Sequence, residues 1–279
     1  MKKFVYALAV CLAACLPTGC SDNDDPDAVP EGEKVTLTEA GTLRTLLGDR
    51  VLEIEAISVQ GLIDDADLLT LAYASFDGEL VSIDLSGAQI QENTIPDYAF
   101  CWCINGGVTS VDAHPANFMD DIPGQTPKFT RFVFPKNLEK IDAFAFGFTR
   151  IEKLDFPSGL REIGTGAFTD CDHLRQDILI FPEGFESVGM GAFKRATLKD
   201  VVLPQSLKTI GYEAFDNGIS GNIYSKSLTP PLCSDESVFR GCENSTLYVP
   251  VGAKEAYSNA KGWSGFAKIV ETKDFPKQR

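Results

Sequence analysis

Few residues in this 279-residue chain are able to do chemistry, and the spacing of most of them assigns them to structure. Of eight cysteines, Cys11, Cys15 and Cys20 stand near the N-terminus, which leaves Cys101, Cys103, Cys171, Cys233 and Cys242. Phe100 to Cys103, Phe168 to Cys171 and Phe239 to Cys242 share one Phe-x-x-Cys spacing, so these thiols fill one recurring slot as small apolar core groups. Cys101-Trp102-Cys103 is C-x-C and no second pair stands at zinc spacing, so neither a metal site nor a disulfide set is expected. Cys233 and Cys242 are the one pair close enough in sequence to bridge a loop, and the sequence leaves that open. His114 and His173 belong to no zinc-binding or nucleophile-activating pattern and read as exposed turn residues. Gly164-Thr165-Gly166 and Gly189-Met190-Gly191 lack the Gly-Lys-Ser/Thr of a phosphate loop, and Gly262-Trp263-Ser264-Gly265 lacks the spacing of a nucleophile elbow. No nucleophile, base, metal set or cofactor cradle survives, so the chain reads as a non-enzyme.

Those glycines recur in register because the middle of the chain is periodic. The unit is apolar-x-x-Ile/Val-Gly-x-x-Ala-Phe, with its phenylalanine at Phe146, Phe168, Phe193 and Phe215 and its leading apolar residue at Leu138, Leu160, Phe185 and Leu207. A proline precedes each unit, at Pro135, Pro157, Pro182 and Pro204, and every series steps by 22, 25 and 22 residues. A fixed period of this length means stacked units that bury their apolar faces only against neighbours, hence a solenoid. A second periodic element is a short strand written apolar-x-x-apolar-x-apolar: Leu80-Ile83-Leu85, Val108-Val111-Ala113, Phe129-Phe132-Phe134, Ile151-Leu154-Phe156 and Leu198-Val201-Leu203. These should pair as a parallel sheet along one side, while Gly164, Gly189 and Gly211 are expected to supply positive φ in the opposite wall, with Asp142 replacing glycine once. Phe100 to Phe146 spans 46 residues, two periods with no Ala-Phe midway, so the stretch from Pro115 to Lys128 reads as a degenerate turn or a bulging loop. Helices are expected at Thr38–Leu47, Asp64–Ser75 and Gly252–Ala260, with a strand at Val51–Val59, all capping the ends.

The N-terminus reads as a secretory signal: Lys2-Lys3, an apolar run from Phe4 to Ala14, then Leu16-Pro17-Thr18-Gly19-Cys20, too short to span a membrane. Gly19-Cys20 is similar to a bacterial lipobox, with Cys20 lipidated and Cys15 the competing site. Ser21-Asp22-Asn23-Asp24-Asp25 resembles the acidic export signal of surface lipoproteins in the Bacteroides group and opens a solvated tether. The formal charge of −15 becomes more negative once Lys2 and Lys3 are removed, which argues against nucleic acid and anionic membrane surfaces as partners.

The segments Ile163-Gly164-Thr165-Gly166-Ala167-Phe168-Thr169-Asp170-Cys171 and Ile210-Gly211-Tyr212-Glu213-Ala214-Phe215, with the closing Pro230-Pro231, Leu247-Tyr248-Val249-Pro250, Tyr257 and Trp263, resemble the BspA-type leucine-rich repeat of Bacteroidetes surface lipoproteins. The resemblance implies a right-handed leucine-rich-repeat solenoid, β-rich with short helices mainly in its caps, on a secreted or lipid-anchored protein; it implies no catalytic residues. The organisation read from the chain is a signal at 1–20, a tether at 21–36, an N-terminal cap at 37–79, repeats at 80–246, a closing unit at 247–272 and a tail at 273–279. The function expected is a non-enzymatic module on the outer membrane, exposed at the cell surface, binding an extracellular protein or glycan; the alternative is a scaffold subunit of an outer-membrane complex. No cofactor or metal is expected. Counting back two and four residues from each proline nominates the outward strand face as the binding surface: Val133 and Arg131, Asp155 and Lys153, Ile180 and Ile178, Val202 and Asp200.

Overall fold

The computed structural model describes residues 32–101 and 126–277. The expected lipobox with Cys15 and Cys20, the first part of the expected tether, Cys103, His114, the strand expected at Val108–Ala113 and residues 115–125 lie outside the described residues.

The N-terminal cap runs β1 (Glu33–Leu37), α1 (Leu43–Leu47), β2 (Ala56–Ile63), α2 (Asp65–Phe76) and β3 (Ser82–Ile90). β1, β2 and β3 pair in parallel, with Val35 and Leu37 alternating inward beside Ile57 and Val59. The sheet therefore begins at Glu33, inside the stretch expected as tether, because this alternation gives residues 33–37 a face to bury. The first strand of the expected cap starts later than its pattern suggested, at Ala56, since Gly48–Leu52 coil into a 3-10 turn. α2 starts where the Asp64 carboxylate accepts hydrogen bonds from the Ala66 and Asp67 amides. Asp67 returns the bond to the Asp64 amide and also accepts from Gly41 and Leu43, so its fully buried carboxylate ties the entry of α1 to α2.

The repeats carry two strand series. In chain order they are β4 (Thr94–Ile95), β5 (Arg131–Val133), β6 (Lys140–Ile141), β7 (Glu162–Ile163), β8 (Ile178–Ile180), β9 (Ser187–Val188), β10 (Asp200–Leu203), β11 (Thr209–Ile210), β12 (Ile223–Ser225), β13 (Leu232–Cys233) and β14 (Thr246–Pro250). α3 (Lys254–Asn259) and β15 (Lys268–Thr272) close the chain. The strands before the prolines build a sheet ordered β8-β10-β12-β14-β15, while β5 joins the cap sheet through β3. The two-residue strands at each Ile/Val-Gly step build a second wall, ordered β4-β6-β7-β9-β11-β13, which the sequence pattern did not announce as a sheet. All strand pairings among the described residues are parallel.

Between the walls stands a column of phenylalanines, each with no exposed surface except Phe239 at 4%. Phe100, Phe146, Phe168, Phe193, Phe215 and Phe239 stack in that order, with centroids 5.2, 5.2, 5.3, 5.4 and 5.5 Å apart. Trp263 covers the last ring at 4.8 Å, its indole N–H donating to the Pro231 carbonyl at 2.8 Å. Tyr257 packs beside it, its hydroxyl bonded to Ser225 and to the Ser227 carbonyl, so the polar atoms brought in by the plug are satisfied.

Several expectations need correction. Phe100 stacks directly on Phe146, and β4 pairs directly with β6, so the 46 residues between these rings make one turn with an insertion rather than two periods. The glycines at 164, 189 and 211 do not have positive φ. They are glycines because adjacent turns touch there: a Cβ on Gly189 would lie 2.4 Å from the Gly164 carbonyl carbon, and one on Gly211 would lie 2.5 Å from the Met190 nitrogen. The left-handed residues are two and six positions further on, in successive turns Tyr98, Phe144, Gly166, Gly191 and Glu213, then Phe148, Asp170, Arg195, Asn217 and Gly241. The strand expected over Ile151–Phe156 does not form. There the Gln176 side chain accepts from the Leu154 amide at 2.5 Å and donates to the Leu154 carbonyl, occupying the positions a neighbouring strand would use. Gln176 belongs to the 25-residue repeat, whose three extra residues put this side chain where the ladder should continue.

Cys171 and Cys242 occupy the buried Phe-x-x-Cys slot, each Sγ directed at the carbonyl of the preceding turn's ladder phenylalanine, Phe146 and Phe215 respectively. Burial pushes the Cys171 thiol up to about 12 and Cys242 to about 11. Cys233 is free as well, so no bridge joins it to Cys242. Cys101, in contrast, is disulfide-bonded, against the expectation that no disulfide forms. Its place directly after Phe100 is outside the shared Phe-x-x-Cys slot, so the core role of the thiols in that slot does not extend to it.

Candidate functional site

The outward face of the strand sheet was nominated from spacing, and the structure divides its eight residues among three settings. Arg131 and Val133 lie on β5 beside Ser82 and Asp84, as part of the cap sheet. Lys153 and Asp155 fall in the turn that forms no strand and pair with each other at 2.9 Å, both 67% exposed. Ile178, Ile180, Asp200 and Val202 lie on β8 and β10, in the register Asp200 beside Ile178 and Val202 beside Ile180. The eight residues therefore do not make one continuous stripe.

Two of them depart from the exposed placement expected. Val202 is fully buried although its slot faces outward, because it sits between two larger side chains in register, Ile180 on β8 and Tyr224 on β12. The Asp200 carboxylate turns along the sheet and accepts from the Asn222 amide at 2.7 Å, so it serves the ladder. The outward slot runs across five strands as Ile180, Val202, Tyr224, Tyr248 and Val270, and all but the covered Val202 are half-buried. Tyr224 and Tyr248 stack with centroids 4.7 Å apart and planes 9° from parallel. Burial pushes the Tyr224 phenol above its ordinary value. Counting from prolines missed Tyr224 because Lys226 stands where that turn would carry its proline. Tyr248 was within reach of the same rule, two residues before Pro250.

The four accessible members of this row, Ile180, Tyr224, Tyr248 and Val270, are half-buried apolar and aromatic side chains on a parallel ladder, which suits a partner surface. Tyrosine contributes large area at low entropy cost, and its hydroxyl keeps a polar tip for hydrogen bonding. Among the described residues no three His, Cys, Asp or Glu side chains are grouped to hold a metal ion.

The wall of Ala-Phe turns carries a network of ion pairs. Asp170 and Arg195 form a two-bond pair at 2.6 and 2.7 Å, linking successive turns. Beside it Lys194 contacts Glu213 at 2.5 Å and Asp216 at 3.3 Å, and Arg240 bonds both acids from the next turn. Hydrogen bonds from Lys194 hold the Glu213 carboxyl below its ordinary value of 4.5, and those from Arg240 hold Asp216 below 3.8. Lys194 is raised above 10.5 by the Glu213 carboxylate. For the two acids, folded values below unfolded ones give stability that is complete above 4.5 and lost as pH falls through the depressed values; for Lys194 it is complete below 10.5 and lost as pH rises through the raised value. Unfolding midpoints followed against pH should therefore fall at both extremes, and Glu213→Gln should flatten the acid limb while leaving the neutral plateau lower.

Residues 93–222 match the BspA type leucine rich repeat region, in six copies. The leucine-rich-repeat fold follows from these matched repeats together with the parallel ladders and the phenylalanine column. No curated protein matches the chain. Among solved structures it is similar to the pneumococcal vaccine antigen PcpA, with 14% identity over 87% of this chain and a TM-score of 0.38. It is also similar to a leucine rich cell surface protein from Faecalibacterium prausnitzii A2-165, with 14% identity over 80% of this chain and 74% of that one, at a TM-score of 0.30. The chain spans 56% of the pneumococcal antigen's structure.

Proposed function

We propose that this chain is a cell-surface-anchored, non-enzymatic binding module that recognises an extracellular protein through the outward row of its strand sheet. The observation that carries the reading is the half-buried row of Ile180, Tyr224, Tyr248 and Val270, in register over the covered Val202, with its stacked tyrosine pair. Aromatic anchors of this kind dominate binding energy at protein interfaces. Anchoring is supported by the Gly19-Cys20 lipobox and the acidic stretch after it, which would place the lipid on Cys20 and the repeats outside the outer membrane. The net charge of −15 favours a protein or neutral partner over nucleic acid.

The test is binding of the full chain to an array of extracellular matrix and bacterial envelope proteins. Replacing Tyr224 and Tyr248 together by Ser should weaken retained binding by at least about 30-fold, the loss of one interface hot spot, while circular dichroism stays unchanged. Equal affinity in the folded double variant would remove this face as the site. Retention of envelope proteins alone would favour a scaffold subunit of an outer-membrane complex.

A further inference from the structure

The turn wall contains a pocket that the sheet face does not share. In the left-handed position just before each Ala-Phe, Tyr98 and Phe144 place rings that stack 5.5 Å apart and 2° from parallel, an outer ladder beside the buried one. The next two turns place Gly166 and Gly191 there, and the turn after them places Glu213. Phe144 leans over Gly166, where a Cβ would lie 2.4 Å from its ring. Over Gly191 the space is open, since a Cβ there would meet nothing nearer than the Lys194 Cβ at 4.0 Å. One rung of the outer ladder is therefore missing, and the gap is a half-open pocket of about 210 Å³. Phe144 and Phe148 form one end and Met190 and Tyr212 the other, the last two 51% and 44% exposed. The pairs Asp170–Arg195 and Lys194–Glu213 contribute the polar lining.

We propose that this pocket is a subsite for a single pyranose ring of a neutral glycan. Three features select that class. The space suits one ring, and the Phe144 face continues a stack in which the next member is absent. The lining is split between aromatic surface and ionised groups, matching a sugar ring, which has an apolar C–H face and a hydroxyl edge. A purely aromatic occupant would strip water from Asp170, Arg195, Lys194 and Glu213 without replacing its hydrogen bonds, whereas hydroxyls donate to the carboxylates and accept from the cations. Two cations face two anions, so the lining holds no excess charge to draw a sulfate or uronate. The proposal rests on the binding-module reading only in placing the chain outside the cell; it does not use the tyrosine row.

The experiment is titration of the full folded chain against a panel of immobilised neutral oligosaccharides, with sulfated and uronate-bearing glycans and aromatic peptides as comparators. Gly191→Tyr fills the missing rung, at a φ of 59° close to that at which Tyr98 already sits in the equivalent position, so the fold is expected to persist. Neutral-glycan binding should fall at least tenfold in Gly191→Tyr and in Phe144→Ala, both checked for an intact melting transition. Tyr224→Ser with Tyr248→Ser should leave it unchanged, which separates failure of this pocket from failure of the sheet face. Absence of neutral-glycan binding, equal binding by folded Gly191→Tyr, or retention only of charged glycans or aromatic peptides would overturn the proposal.

Discussion

Truncating Phe168 to alanine is expected to lower the unfolding free energy by about 3 to 5 kcal/mol, the cost of a lost buried ring and the cavity it leaves. The ring has no exposed surface and is held face to face at 5.2 and 5.3 Å by Phe146 and Phe193, with Phe156 tilted against it at 5.8 Å. Its neighbours belong to separate turns whose backbones are fixed by their own ladders, so they cannot close in on the space. Phe193→Ala should behave alike. Urea unfolding is the measurement, and a loss below about 1 kcal/mol would mean that the column is not what holds the turns together.

Gly189→Val should destabilise by about 3 kcal/mol, at the upper end of the overpacking range. The Cβ would meet the Gly164 carbonyl carbon at 2.4 Å and the Thr165 nitrogen at 2.6 Å, and backbone cannot move aside as a flexible side chain would. Relief requires prising apart two turns joined by β7 and β9 on one side and by the stacked rings on the other. Gly191→Ala makes the comparison, since its Cβ enters open space and its cost is the left-handed backbone alone, about 1 kcal/mol. Thermal unfolding of both variants distinguishes the two causes: equal losses would show that close approach is not the reason for glycine at 189.

These two glycines also show what the sequence could and could not convey. The period, the ladder phenylalanines and the cysteine slot were legible because each depends on one side chain recurring at one spacing. Gly164, Gly189 and Gly211 were read as residues of positive φ, but glycine serves two needs, backbone freedom and backbone proximity, which look identical in a single chain. The positions that do adopt positive φ include Phe144, Glu213 and Arg195, residue types that carry no such signal. The missing strand over Ile151–Phe156 depended on one side chain, Gln176, reaching across to another turn, and local patterning is blind to that contact. The burial of Val202 was likewise set by its cross-strand neighbours Ile180 and Tyr224, whose register with it no short-range pattern states. The outward row itself was half visible, through Ile180 and Val202; of its aromatic members Tyr224 fell outside a rule tied to prolines, while Tyr248, two residues before Pro250, was within its reach.

The direct pairing of each turn with the one before it also governs how the molecule acquires its structure. Ile141 finds Ile163, Ile163 finds Val188 and Val188 finds Ile210, partners separated by 22, 25 and 22 residues, whereas the Ile95–Ile141 step spans 46. Lengthening such a molecule adds more encounters of the same short span and none of longer span, so the chain-closure entropy of each step is independent of total length. Assembly can then spread outward from any formed pair of turns, and opening begins at the ends, where a turn has one neighbour instead of two. The Trp263 plug and the β1–β3 sheet thus act as kinetic latches on the two places from which the coil would otherwise unwind.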